Sequence, residues 1–157
     1  MNQDQYLRAQ MRELLTEPNA HLMFDEAVMG IPPKLRGAHH ETIAHTPWQL
    51  LEHLRISQWD IIYYSLNPNH ISPSWPEGHW PPEDSPPNST AWNQSVAGFR
   101  ADLETFLGVI DDPARDLLVP IPWGEGRTLL RQALVLGKHN SYHFGQLVQL
   151  KKAFPAH

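Results

Sequence analysis

The sequence contains no cysteine. Disulfides, thiolate-held zinc, iron–sulfur clusters and a cysteine nucleophile are therefore excluded together. Charge is scarce: Asp, Glu, Lys and Arg make up 18% of the 157 residues, and the formal balance is −5 with histidine neutral. No run of Lys and Arg forms a basic patch, so binding to DNA or RNA is not expected. Long hydrophobic runs are missing as well, and nothing approaches the roughly 20 apolar residues of a membrane span. There is no Gly-x-Ser-x-Gly elbow, phosphate-binding glycine loop or dinucleotide fingerprint, and Gly124-Glu125-Gly126 is too short to count as one. Met1 to Gln5 is polar, without the basic and apolar regions of a secretory signal. A cytoplasmic protein is expected, in which the glycosylation-like triplets at Asn88 and Asn93 carry no meaning.

What is present begins with 41% hydrophobic residues, enough for one core in a single domain over residues 1–157. Two residue types are in excess. There are ten histidines, several times the usual share, and fifteen prolines, about twice the usual 5%.

Apolar spacing predicts four long helices. The first runs from about Gln3 to Leu15, followed by a shorter helical piece near Leu22 to Met29. The second long helix opens with Thr46 as N-cap and Pro47 at the first helical position, where its missing N–H costs nothing. It ends near Leu66, before Asn67-Pro68. The third begins at Ser89 or Thr90 and ends near Ile110. The last is capped by Thr128 and reaches about Phe154. Between the second and third lies a segment, 67–88, with seven prolines that rule out regular helix or central strand. Because Ile71, Trp75 and Trp80 lie within it, we expect an ordered crossover pinned to the helices. At about 3.1 Å per residue it can run the length of a 20-residue helix. The expected fold is all-α: a four-helix bundle, up-down-down-up, with the long crossover between helices two and three.

The last helix contains His139 and His143. Four residues apart, two imidazoles share one face and can reach a single metal ion. Val135, Leu136, Leu147 and Leu150 fall near them on the helical wheel, so the pair faces the interior. Two buried histidines bonded to carbonyls, hydroxyls or water are the alternative. His53, near Leu50 and Ile56 on the wheel of the second long helix, also faces inward and is the candidate third ligand. Three inward histidines on two facing helices are harder to explain as satisfied core residues. His39, His40 and His45, in the loop before that helix, lack a fixed face and are expected to be solvated. His21 could approach the site from the rim. His70 and His79 lie in the crossover, and His157 is terminal. Gly137 and Gly145 each cost about 1 kcal/mol inside a helix, which suggests close approach of a neighbouring helix or a second subunit.

Together, the stretches His45-Thr46-Pro47-Trp48-Gln49-Leu50-Leu51-Glu52-His53-Leu54 and His139-Asn140-Ser141-Tyr142-His143-Phe144-Gly145-Gln146-Leu147 resemble the DinB-like superfamily, which includes YfiT-like proteins. The resemblance covers nearly the whole chain. It implies an up-down-down-up four-helix bundle, usually dimeric, holding a divalent metal, typically zinc or nickel, on His53, His139 and His143. Some relatives are transferases or isomerases that use low-molecular-weight thiols.

Three neutral imidazoles leave at least one coordination position open for water or substrate. Asp60, one heptad after His53, and Gln146, near the face of His139, are candidates to orient the ligands. Asp60, or else Glu52, is the candidate catalytic proton acceptor, with a salt bridge as the alternative role. Three functions are weighed. The first is a metal-dependent enzyme, a transferase (thiol-dependent among the options) or hydrolase acting on a small molecule. The second is a metal-binding or stress-associated protein without turnover. The third is a plain helical bundle used for dimerisation.

Overall fold

The computed structural model describes residues 1–154; His157 lies outside them. In chain order the helices are α1 (Gln3–Thr16), α2 (Phe24–Val28), α3 (Pro47–Leu66), α4 (Ala91–Asp111) and α5 (Leu129–Ala153), with single 3-10 turns at Pro33–Leu35 and Glu77–His79. The described residues form no strand, and the fold is all-helical.

Each long helix begins where side-chain chemistry supplies its orphan amides. At α3 the Thr46 Oγ1 accepts from the Gln49 amide at 3.2 Å while Gln49 Oε1 accepts from the Thr46 amide at 3.1 Å, a reciprocal capping box with Pro47 inside it. Thr128 caps α5 by accepting from the Arg131 amide. At α4 the expected Thr90 occupies the cap position without a side-chain bond; Asn88 Oδ1 accepts from the Thr90 and Ala91 amides instead. The Asx geometry of Asn88, two residues earlier, outcompetes the threonine.

Helix α3 packs on α4 and α5, α1 packs on the same two, and α2 lies against α5. The registers are set by specific pairs. Arg8 of α1 donates to the carbonyls of Ile110 and Asp112 at the end of α4. Leu14 of α1 meets α5 at Gly137, where an added Cβ would come within 3.0 Å of the leucine Cγ, so the close approach expected for this glycine is within the chain. Gly145, by contrast, has nothing within 4 Å of a virtual Cβ.

Two apolar clusters fill the interior. One gathers Phe24, Trp48, Leu50, Leu51, Leu54, Trp92, Phe99, Phe144 and Leu147. The other gathers Met11, Leu15, Ile62, Phe106, Ile110, Leu129, Ala133 and Leu136. A fully buried leucine or phenylalanine contributes about 1.5–3 kcal/mol, so these clusters supply the bulk of the folding drive. On α3 between Leu51 and Ile62, and on α5 between Leu136 and Phe144, the buried positions other than Leu54 and Gly137 are polar: His53, Ser57, Gln58, Asn140 and His143. The interior is thus interrupted by a polar layer between α3 and α5.

The crossover after α3 is ordered, and of the three apolar residues expected to pin it Trp80 does so while Ile71 and Trp75 do not. Ile71 and Trp75 are 87% and 72% exposed. The segment is held instead by His70 and His79, by Trp80, and by Asp84, whose carbonyl and carboxylate accept from Thr46 Oγ1 and Gln49 Nε2. Polar partners on α3, together with Trp80 packed against the apolar core, fix its path.

Candidate metal centre

His53 occupies the middle of α3, and His139 and His143 lie one turn apart on α5. Their ligand nitrogens all fall within 4.8 Å of one another, and the Nε2 atoms of His53 and His139 are 3.0 Å apart. His53 is 2% exposed and His143 7%, while His139 is half-buried.

The other nitrogen of each ring is already committed. His53 Nδ1–H donates to the backbone carbonyl of His79 at 2.8 Å, with Ser57 Oγ a longer neighbour at 3.4 Å. A carbonyl only accepts, so in the neutral ring the lone pair is on Nε2. The tautomer of His139 follows from a longer chain. Gln58 Nε2 donates to the Phe99 carbonyl at 2.6 Å, which fixes the orientation of that amide. Gln58 Oε1 then accepts from Asn140 Nδ2 at 3.1 Å, and Asn140 turns its Oδ1 toward His139 Nδ1 at 3.5 Å. His143 Nδ1 meets Gln146 Oε1 at 2.6 Å. Each Nδ1–H faces an oxygen, which leaves the Nε2 lone pair of each ring free in a cluster whose ligand nitrogens lie within 4.8 Å.

Lone pairs facing each other at this range repel unless a proton or a cation lies between them. Protons are poorly placed to do so. Burial pushes the pKa of His53 down to about 3, against the raising effect of the His79 carbonyl and with help from the neighbouring imidazoles. Burial lowers His139 to about 4, with the charge of His143 adding to it and the Asn140 bond opposing. Burial also lowers His143, partly offset by Gln146. Neutral rings are what a metal requires. Nitrogens bound at about 2.0–2.1 Å in a tetrahedral site lie about 3.3–3.4 Å apart, a few tenths of an ångström beyond the 3.0 Å between His53 and His139. The donor set therefore fits a divalent transition metal, and its three protein ligands are the number found in catalytic sites that keep a position open.

The family profile of the DinB superfamily matches residues 7–147. The chain belongs to the DinB superfamily. No curated protein and no solved structure shows a significant match. The match spans all three histidines of this DinB-superfamily chain and the crossover between them.

The remaining candidates are placed as follows. Asp60 lies outside the three-imidazole cluster. Its Oδ1 accepts from His70 Nε2–H at 2.7 Å and its Oδ2 from His79 Nε2–H at 3.2 Å, so both oxygens face the crossover. Glu52 is engaged by Arg55 of the same helix, which forks onto both its oxygens at 2.8 Å. Burial raises the Glu52 pKa, but the hydrogen bonds and charge of Arg55 outweigh it, holding it below the usual value. Gln146 serves His143 rather than His139, because three residues bring a side chain closer than seven. His21 bonds Leu22 and Ser141 at the rim, and His39 pairs with Asp84. His45 is not free in solvent: it stacks on Trp80 at 3.8 Å, and the opposite face of that indole lies parallel to His53 at 3.7 Å.

The sequence assigns no role at the site to Gln58, Asn140, His79 or Trp80, although it places His79 and Trp80 in the crossover. Gln58 carried a signal, since Leu54, Gln58 and Ile62 step by four along the core stripe of α3, where a glutamine needs partners. Asn140 sits beside His139 in the motif itself. His79 and Trp80 lie in a segment without periodicity, so no face could be assigned to them.

Proposed function

We propose that His53, His139 and His143 hold one divalent metal through their Nε2 atoms, zinc or nickel by the family resemblance, from among the several metals that imidazole suits, and that the protein is a metal-dependent enzyme acting on a small molecule. The observation that carries this reading is the commitment of all three Nδ1 atoms to oxygen acceptors, which leaves three clustered lone pairs with no other purpose. Bound there, the metal would supply Lewis acidity and lower the pKa of a coordinated water or thiol. The chain contributes orientation and exclusion of water. Trp80 seals one face of His53, and the buried amides of Gln58 and Asn140 keep His139 turned inward. The exposed ring of Tyr142, 4.9 Å from His143, marks the open side from which a substrate enters. A transferase step with a thiol donor, or hydrolysis, are the chemistries we favour. Absence of turnover with thiols and electrophiles, or with esters and amides, in the metal-loaded protein favours a metal-binding role without catalysis.

We also read the bundle as up-down-down-up. Its support is that contacts of α3 with α4 advance together (Arg55 with Gly98, Gln58 with Phe99), whereas those of α3 with α5 run in opposite senses (His53 with His143, Ser65 with Gln132). A cytoplasmic homodimer is part of the same reading; no described helix is long and apolar enough to cross a membrane.

The test is metal content of protein purified without a nickel column. One metal per chain is expected, lost in His53→Ala, His139→Ala and His143→Ala. Metal content unchanged in all three variants overturns the assignment.

A further inference from the structure

The crossover is joined to α3 at two levels, and one level ends on a metal ligand. At the outer level the Asp60 carboxylate divides itself between two crossover imidazoles, His70 at 2.7 Å and His79 at 3.2 Å. The side chains of His70 and His79 are only 6% and 8% exposed, and that of Asp60 is 16% exposed. At the inner level the backbone of the same His79 accepts the Nδ1–H of His53, and the next residue, Trp80, lies flat on the His53 ring at 3.7 Å with 1° between planes. Position 79 thus has its side chain on Asp60 and its carbonyl on His53. The connection from Asp60 to the first ligand passes through one residue.

We propose that Asp60 is a positioning residue of the metal centre, acting through His79 to hold the crossover carbonyl that keeps His53 in its Nε2-ligating tautomer. This rests on the metal reading above. The segment that supplies the carbonyl is rich in proline, has only a single 3-10 turn and makes no helix-to-helix register of its own. Its exposed Ile71 and Trp75 contribute no apolar anchor. Without Asp60 the two buried imidazoles lose their carboxylate acceptor, His79 keeps only the distant Ser74 carbonyl at 3.4 Å, the turn at Glu77–His79 is loosened, and His53 is free to rotate or to exchange tautomers. Coupling of this kind is reciprocal. If the docked crossover favours the metal, the metal favours the docked crossover by the same factor.

Co2+ is the probe, because its visible bands report ligand number and geometry and its dissociation constant can be titrated. Removing an outer partner of a metal-ligating histidine weakens binding by about 10–100-fold. Asp60→Ala is expected to weaken Co2+ by an amount in that range and to alter the visible spectrum. Asp60→Asn, which keeps the volume and one acceptor oxygen, is expected to fall between. His79→Ala retains the backbone carbonyl but loses the link to Asp60, so it should match Asp60→Ala. The double variant should be no weaker than either single one, since both cut the same connection. In the wild type, Zn2+ should slow hydrogen exchange of the amides around Glu77–Trp80, and in Asp60→Ala it should not. The inference is overturned if Asp60→Ala and Asp60→Asn melt at lower temperature yet bind Co2+ with wild-type affinity and spectrum, or if the losses in the double variant add. Failure of the wild-type protein to bind Co2+ at all is a different result: it removes the metal reading itself.

Discussion

Acidification of the metal-free protein should destabilise it, by an amount that can be worked from the two most depressed imidazoles. In the unfolded chain a histidine titrates near 6.5, so it goes from about one quarter protonated at pH 7 to almost fully protonated at pH 5. In the folded chain burial keeps His53 near 3 and His139 near 4, so both stay neutral across that interval. The unfolded state therefore binds more protons, and stability falls as the pH drops from 7 toward 4. Each fully buried ring accounts for about 2 kcal/mol between pH 7 and pH 5. His53 bears that in full; solvent at half-buried His139 trims its share, for a total of about 3 kcal/mol. Against the 5–15 kcal/mol typical of a domain this is large, and it corresponds to a fall in melting temperature of about 6–12 °C. Thermal unfolding followed by circular dichroism, in chelator, at pH 7, 6 and 5, measures it. The His53→Gln variant isolates the cause and should recover about 4–8 °C of the fall. A melting temperature flat from pH 7 to pH 5, or a fall of equal size in His53→Gln, refutes the reasoning.

Arg8 offers a test of the fold independent of the metal. Its buried guanidinium holds the carbonyls of Ile110, Asp112 and Arg115 at 2.5–2.9 Å. Arg8→Met should cost about 3 kcal/mol through those abandoned carbonyls, lowering the melting temperature by about 6–12 °C while leaving Co2+ affinity unchanged. Gly145 has open space around it, so Gly145→Ala should stabilise the isolated chain by about 0.5–1 kcal/mol. A loss of stability there, measured against protein concentration, means that a second copy packs on this face of α5.

The helix starts were legible because they are local: Thr46-Pro47 with Gln49 specifies its own cap, and Thr128 does the same for α5. The three inward histidines were legible for a related reason, since a spacing of four on an apolar helix face fixes direction without tertiary knowledge. The crossover was legible only as ordered. Which of its residues touch the helices depends on the path of a chain with no periodicity, so Trp75 and Trp80 look alike in sequence while one is in solvent and the other lies on His53. The partner of Gln146 turned on one helical turn of register, and the buried amide pair Gln58–Asn140 on the meeting of two helices far apart in sequence. The orienting contacts least visible before folding are those between a helix and something outside it, the His79 carbonyl on His53 and the Gln58–Asn140 pair, whereas Gln146 on His143 lies within α5.

X-ray absorption at the zinc edge, on protein loaded with one equivalent of Zn2+, tests the site most directly. The account predicts one tightly held ion whose scattering shows three imidazoles, with nitrogens at about 2.0–2.1 Å, and a reduced imidazole count in His139→Ala. An ion bound by fewer than three imidazoles, a spectrum indifferent to His139→Ala, or zinc removed by simple dialysis contradicts it.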